Sequence, residues 1–317
     1  MDRNLALEVV RVTEAAALAS ARFMGRGDEA EADRAAVESM RRAFNAIPVT
    51  GTVVIGEGTE EQTNVLFVGE KVGSGGTNVT DVALDALEGT SICATGGPGA
   101  LSIIAIADPG VFFSCPDTYM EKIAVGPEGR GVIDLDRSPT ANLKALAEAR
   151  GVYVEDLTVV LLDRPRHQKL IRELRTAGAR IKLLGAGDLS AALATTRPES
   201  GIDMLMGVGG GLQGVLAAAA LRCVGGDMQA RLAPLTHDEQ EQCYAAGITD
   251  LRHKYTLDEF IRGEVMFAAT GVTTGDYLEG VRFFRGGAAT NSVVMRSQTR
   301  TVRYIETIHH FDFKPLY

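Results

Sequence analysis

The chain has 317 residues, enough for one large or two modest domains with a substantial core. Its 32 Lys and Arg stand against 41 Asp and Glu, and the resulting net charge of −9 excludes a surface built mainly to grip nucleic acid. With 45% hydrophobic and 23% charged residues, the composition also excludes a disordered chain. An anionic small substrate remains compatible with this charge, given a locally positive pocket or bound cations. The 36 glycines are an excess that points to tight turns and to close approaches between backbone and ligand. Cys93, Cys115, Cys223 and Cys243 form no CxxC pair, so reduced thiols are expected rather than a zinc cluster or a disulfide framework. Glu8 and Arg11 interrupt the first apolar stretch, and no run of 18 uncharged apolar residues follows, so neither a secretion signal nor a membrane span is expected.

Residues 4–24 read as an amphipathic helix, with Leu5, Val9, Val12, Ala16 and Ala19 at spacings of three and four. A Gly25-Arg26-Gly27-Asp28 turn precedes a second helix over 29–45, whose stripe of Val37, Met40 and Phe44 also takes in Asp33. A carboxylate on an apolar stripe is costly unless it is paired or binds a metal; the plainer reading is a first-turn Asp favoured by the helix dipole. Thr52–Ile55 is a β-branched strand ending in Gly56-Glu57-Gly58. Val79–Leu84 is a second strand, which sets Asp81, Ala83 and Asp85 on one face and runs into Leu87-Glu88-Gly89-Thr90. Leu101–Ala107 is almost continuously apolar, as in a strand covered on both faces. From Leu157 strands and helices alternate: TVVLLD, a helix over 168–177, RIKLL, a helix after Asp188, IDMLMG, the glycine-rich GVGGGLQG and a helix over 215–222. VRFFRG, SVVMRS and TVRYIETIH close the chain as strands, HHFDF is expected to be a strand and packed tail, and Met204 and Met206 are expected in the core.

Two clusters carry chemistry. Asp33, Glu57, Asp85 and Glu88 are oxygen-only donors that suit Mg²⁺ or Mn²⁺, and Thr90 supplies a hydroxyl able to orient a water activated by the metal. Asp163-Arg164-Pro165-Arg166-His167 follows a strand directly, and two arginines held by a rigid proline can give forked hydrogen bonds to phosphate. In isolation a solvated basic loop is the more ordinary reading of that segment.

The motifs GRGDEAEADRAAVESMR, VVIGEG, GEKVG, ALDALEGT, PDTYMEKIAVGP, LDRPRH, GARIKLLGAGD, ALRCVGG and GVRFFRGG cover essentially the whole chain, and with them it resembles the class II, GlpX-type fructose-1,6-bisphosphatases. The resemblance implies an α/β fold, the layered αβαβα arrangement of the lithium-sensitive inositol and fructose bisphosphatases. It also implies a cytoplasmic homodimer or homotetramer that uses Mg²⁺ or Mn²⁺ to remove the 1-phosphate of fructose-1,6-bisphosphate, with sedoheptulose-1,7-bisphosphate as a further substrate of some members. Neither nucleic acid nor membrane is an expected partner. Asp33, Glu57, Asp85 and Glu88 match the family's metal ligands, and Gln213 stands at a fifth ligand position. Thr90, with Glu57 and Asp85, is expected to carry the chemistry. Glu88, Gly89, Thr90, Tyr119, Arg164, Pro165, Arg166, Asp188 and Gly210 match positions that hold substrate. A metal-site domain over 1–130 and a substrate-phosphate domain over 131–317, with the active site between them, are the expected organisation.

The chain also departs from the family. Glu29 replaces a lysine, Ala86 a proline that stiffens the turn, Ala186 an aspartate, and Gln213 a metal-binding glutamate. An amide oxygen lacks compensating charge, Ala186 removes a hydrogen-bond acceptor for a sugar hydroxyl, and Glu29 would disfavour an anion. A catalytically weakened paralogue, acting as a sugar-phosphate sensor or as a phosphatase of altered specificity, is the alternative these changes raise. A dinucleotide-binding reading of Gly209–Gly214 with Asp227 further on is a weaker one, since glycine is abundant throughout.

Overall fold

The structure, a computed structural model, describes residues 5–58 and 65–313; residue 4, where the first helix was expected to begin, lies outside them. In chain order the first elements are α1 (Leu5–Ser20), α2 (Glu29–Phe44), β1 (Thr50–Ile55), β2 (Lys71–Val72), β3 (Val79–Glu88), α3 (Thr90–Thr95), β4 (Leu101–Ala107) and β5 (Tyr119–Val125). They are followed by α4 (Pro139–Arg150), β6 (Thr158–Leu162), α5 (Gln168–Thr176), β7 (Arg180–Leu184), α6 (Asp188–Ala194), β8 (Met204–Gly210), α7 (Gly211–Val224) and β9 (Asp227–Leu232). The remainder is α8 (His237–Ala245), β10 (Tyr255–Thr256), α9 (Leu257–Phe260), β11 (Val265–Gly271), β12 (Arg282–Phe284), β13 (Gly287–Arg296) and β14 (Thr301–His310). Two mixed sheets with helices make this the layered α/β fold expected from the sequence.

Two compact units divide the chain, one formed by Met1–Phe112 with Gly263–Tyr317, the other by Phe113–Arg262. The boundary expected at residue 130 thus falls inside the second unit, just after β5. The reason is topological: β11 pairs with β4 along seven residues, so the carboxyl-terminal strands complete the first sheet.

The first unit's sheet has the order β12-β13-β11-β4-β3-β1-β2, with β14 also on β13. β4 is buried along its whole length, in keeping with its apolar run, and α1 and α2 pack on the sheet. α1 buries a broader arc than one stripe, including Val10, Thr13, Glu14 and Ala17, because α2 covers it on one side and β11, β13 and β4 on another. α2 is capped by Asp28, whose side chain accepts from the Glu31 N–H at 3.0 Å, and Glu29 and Glu31 add favourable charge at its first turn. Glu29 is therefore an exposed first-turn residue. Val37, Met40 and Phe44 lie in the core as the stripe requires.

The second unit's sheet runs β10-β9-β5-β8-β6-β7. β6 is parallel to both β7 and β8, so the connections leaving these three strands emerge along one sheet edge. β5 runs antiparallel to β8 and sets Tyr119 opposite Gly210 at that edge. Met204 and Met206 are buried, as expected of core filler. HHFDF is not a strand throughout: His309 and His310 end β14, and Phe311–Phe313 form a short 3₁₀ turn.

Met40 is fully buried on the face of α2 that carries the helix against the sheet. Met40→Ala should cost about 2–5 kcal/mol, read as a lower denaturant midpoint at unchanged slope.

Candidate active site

Within the first unit, β1 and β3 are parallel neighbours, with Ile55 opposite Ala83. Extending that register brings Glu57 level with Asp85, and Glu57 Oε1 accepts the Ala86 N–H at 2.6 Å. The register of β3 on β4 shifts between Asp85 and Glu88, which separates these two carboxylates by a local irregularity in the strand. Glu88 is buried, and Gly89 then turns the chain at φ +83°, a conformation that suits glycine, to start α3 with Thr90. Asp33 lies half-buried on the helix face that also holds Ala36 and Val37, so the stripe reading of the sequence holds together with its cost.

The electrostatics record that cost. Burial raises the Asp33 carboxyl above its ordinary range. Glu57 is pushed up to about 8, first by burial, then by the charges of Asp85 and Asp33, against a lowering effect of the Ala86 N–H. Three partly buried carboxylates therefore repel one another, and the donors are hard oxygens, as a divalent cation of the Mg²⁺ or Mn²⁺ kind requires. The donor chemistry fits such an ion, while the side chains stand looser than a closed ligand shell: among the described residues no group of three or more His, Cys, Asp or Glu is arranged to hold one.

In the second unit the three connections at the sheet edge bring the other predicted residues together. After β6, Arg164 donates to Gly185 O at 2.6 Å and to Asp163 O at 3.0 Å, which ties its loop to the end of β7. Arg166 donates through Nε and Nη2 to Val208 O on β8 and stacks 5.1 Å from the Tyr119 ring centroid. A guanidinium has five N–H groups, so Arg166 retains donors for a phosphate beyond those given to Val208. After β7, half-buried Ala186 precedes Gly187 and Asp188 at the start of α6. After β8, Gln213 belongs to the first turn of α7, and a Cβ placed on Gly210 would lie 2.0 Å from its Oε1.

His167 fixes the arginine loop. Its Nε2 must accept, because the Val208 N–H donates to it at 2.8 Å, so Nδ1 carries the hydrogen and donates to Leu162 O at 2.7 Å. Burial, followed by the Arg166 and Arg164 charges, lowers the His167 pKa and keeps the ring neutral.

The sequence reading missed Lys122. It lies on β5, a strand that the reading did not identify, and its Nζ donates to Asp188 Oδ2 at 2.6 Å and to Gly210 O at 2.8 Å. The signal was present in YMEKIAV, where Lys122 shares a buried face with Met120 and Ala124. Asp227, named in the dinucleotide reading, accepts from the Gly131 and Met228 N–H groups.

Oxygen donors crowded about a half-buried glutamate, and arginines presented where parallel strands end, suit the hydrolysis of a phosphate ester, the work of an α/β phosphatase. Residues 3–309 match the family described as bacterial fructose-1,6-bisphosphatase, glpX-encoded, and the chain belongs to it. It is 42% identical to a D-fructose 1,6-bisphosphatase class 2/sedoheptulose 1,7-bisphosphatase of Synechococcus elongatus, over 98% of both chains. A protein with the same description from Synechococcus sp. (strain JA-3-3Ab) is 43% identical over 98% of this chain and 97% of its own.

Two predictions concern these groups. A carboxyl that titrates higher in the folded than in the unfolded chain contributes stability below its unfolded pKa and loses it as pH rises through the folded value. In metal-free protein, the stability difference between wild type and Glu57→Gln should therefore shift against wild type as pH rises from about 4.5 to about 8, measured by thermal unfolding in a chelator. Separately, His167→Ala removes the acceptor of the Val208 N–H and should cost about 1–3 kcal/mol in denaturant unfolding.

Proposed function

We propose that this chain hydrolyses the 1-phosphate of fructose-1,6-bisphosphate to fructose-6-phosphate and inorganic phosphate, with Mg²⁺ or Mn²⁺, and that sedoheptulose-1,7-bisphosphate is a second substrate of the same site. The observation that carries the reading is the crowding of Asp33 and Asp85 about a half-buried Glu57, whose shared negative charge calls for a divalent cation. Asp33, Glu57, Asp85 and Glu88 are the residues that would hold it. Such a cation, when bound, neutralises phosphate oxygens and makes water a better nucleophile.

The chain's own groups have distinct tasks in this reading. Thr90, at the first position of α3, offers its hydroxyl to orient the attacking water. The Gly89 turn starts α3 directly after β3, the strand that carries Asp85 and Glu88. Arg164 and Arg166, braced by backbone carbonyls and by His167, anchor the distal phosphate, with the Tyr119 ring against Arg166. Asp188 accepts from a sugar hydroxyl. Attack forms the new phosphorus–oxygen bond as the ester oxygen leaves with the sugar, and that oxygen takes up a proton.

Retention of Thr90 and the four carboxylates supports turnover over a sensor role, and relatives of 42–43% identity are described as bisphosphatases. Gln213 enters the reading as a neutral donor in place of a charged one. We take the enzyme to act in the cytoplasm as a homodimer or homotetramer.

Purified protein with Mn²⁺ should release phosphate from either bisphosphate, and Asp85→Ala should lower kcat/KM at least ~10²-fold. Absence of phosphate release from both sugars, in folded protein with metal present, would reject the assignment. Gln213→Glu should tighten Mn²⁺ binding, read by calorimetry; an unchanged affinity would remove position 213 from the ligand set.

A further inference from the structure

Lys122 is 3% exposed on a strand whose neighbours on its face are Met120 and Ala124. A buried ammonium is costly unless it is paired and hydrogen-bonded. Here both conditions are met, by Asp188 Oδ2 at 2.6 Å and Gly210 O at 2.8 Å. The two acceptors belong to different connections at the sheet edge, one after β7 and the other after β8. These strands are not neighbours, since β6 lies between them, so no ladder of backbone hydrogen bonds joins their ends directly.

We propose that Lys122 is a positioning residue for the sugar phosphate, clamping the β7–α6 and β8–α7 connections so that Asp188 and Gly210 meet the sugar in fixed geometry. Lys122 occupies Asp188 Oδ2 and leaves the other carboxylate oxygen for a sugar hydroxyl. Its charge is neutralised by Asp188, so it acts through geometry and not as an anion-binding cation. The inference rests on the substrate-holding role given above to Asp188 and Gly210.

The glycine-rich run acquires a physical purpose from the clamp. Lys122 stands opposite Gly207 on β8, and its side chain reaches past Gly209 to Gly210. At Gly209 a Cβ would lie 2.0 Å from Asp188 Oδ2 and 3.2 Å from Lys122 Nζ. At Gly214 a Cβ would lie 2.4 Å from Met120 Sδ and 3.4 Å from Lys122 Cδ. The absence of a side chain at Gly209 leaves room for the ion pair, and that at Gly214 for Met120 and the stem of Lys122, which accounts for these two glycines without a dinucleotide.

The test compares wild type, Lys122→Met and the double variant Lys122→Met/Asp188→Asn. Calorimetry measures the affinity for fructose-6-phosphate and for inorganic phosphate, kinetics gives KM and kcat for fructose-1,6-bisphosphate, and thermal unfolding reports the fold. The clamp predicts that Lys122→Met weakens fructose-6-phosphate binding about tenfold or more and raises KM by a similar factor. It also predicts a smaller change in kcat and inorganic phosphate affinity within about twofold of wild type. The double variant should lose no more sugar affinity than the single, because both changes disable one device. Unchanged sugar affinity and KM in a folded variant would overturn the proposal, as would an equal loss of sugar and phosphate binding that follows a loss of Tm. Should the single variant not fold, the double variant leaves no buried charge stranded, and full sugar affinity in it overturns the clamp. Wild type that binds fructose-6-phosphate but releases no phosphate from fructose-1,6-bisphosphate would reject the hydrolase reading alone, because the clamp is measured by binding.

Discussion

Repulsion between partly buried carboxylates is the constraint on which the first unit's chemistry depends. Glu57 has the Ala86 N–H as a partner, yet burial and the charges of Asp85 and Asp33 outweigh that single hydrogen bond and raise its pKa. Folding places the three groups there through unrelated local rules: a capped helix for Asp33, a strand terminus for Glu57 and an interrupted strand register for Asp85. The cost of gathering like charges is withstood by a core in which β4 is buried throughout and α2 is seated by Val37, Met40 and Phe44. An arrangement of this kind destabilises the metal-free protein and thereby favours a bound cation.

The second unit solves the complementary problem of presenting positive charge to an anion. Three strands running in the same direction release their connections at one edge, and backbone carbonyls hold both guanidinium groups there. His167 acts as a neutral brace, since its two ring nitrogens are committed to Leu162 and Val208. Lys122 adds a cation of another kind, paired with Asp188. In the proposed reading the arginines are the charges that meet phosphate, while the lysine governs where the acceptors stand.

Much of this was legible in the sequence. Helical spacing located α2 and its buried stripe, the β-branched and apolar runs located β1 and β4, and oxygen-only donors pointed to a hard cation. Family motifs then matched the residues on both units to roles that spacing alone had left open between structure and function. Long-range pairing was not legible: nothing local in Val265–Gly271 announces that it joins β4, and so the sequence boundary at 130 missed the return of the chain to the first unit. Lys122 escaped because β5 loses its alternation where its last four positions are all buried, and its partners lie 66 and 88 residues away. The glycines of β8 were visible as a pattern, but their purpose depends on that distant lysine.

Proton release on metal binding tests the central claim most directly. Mn²⁺ titrated into metal-free protein near pH 7, in two buffers of different ionisation enthalpy, reports the protons displaced as the carboxylates take up the ion. A Glu57 held largely protonated by its neighbours predicts release of close to one proton per site, and predicts that Glu57→Gln abolishes that release. Metal binding without proton release, or release unchanged in Glu57→Gln, would contradict the claim that a cation is drawn to this cluster by the charge its carboxylates cannot share.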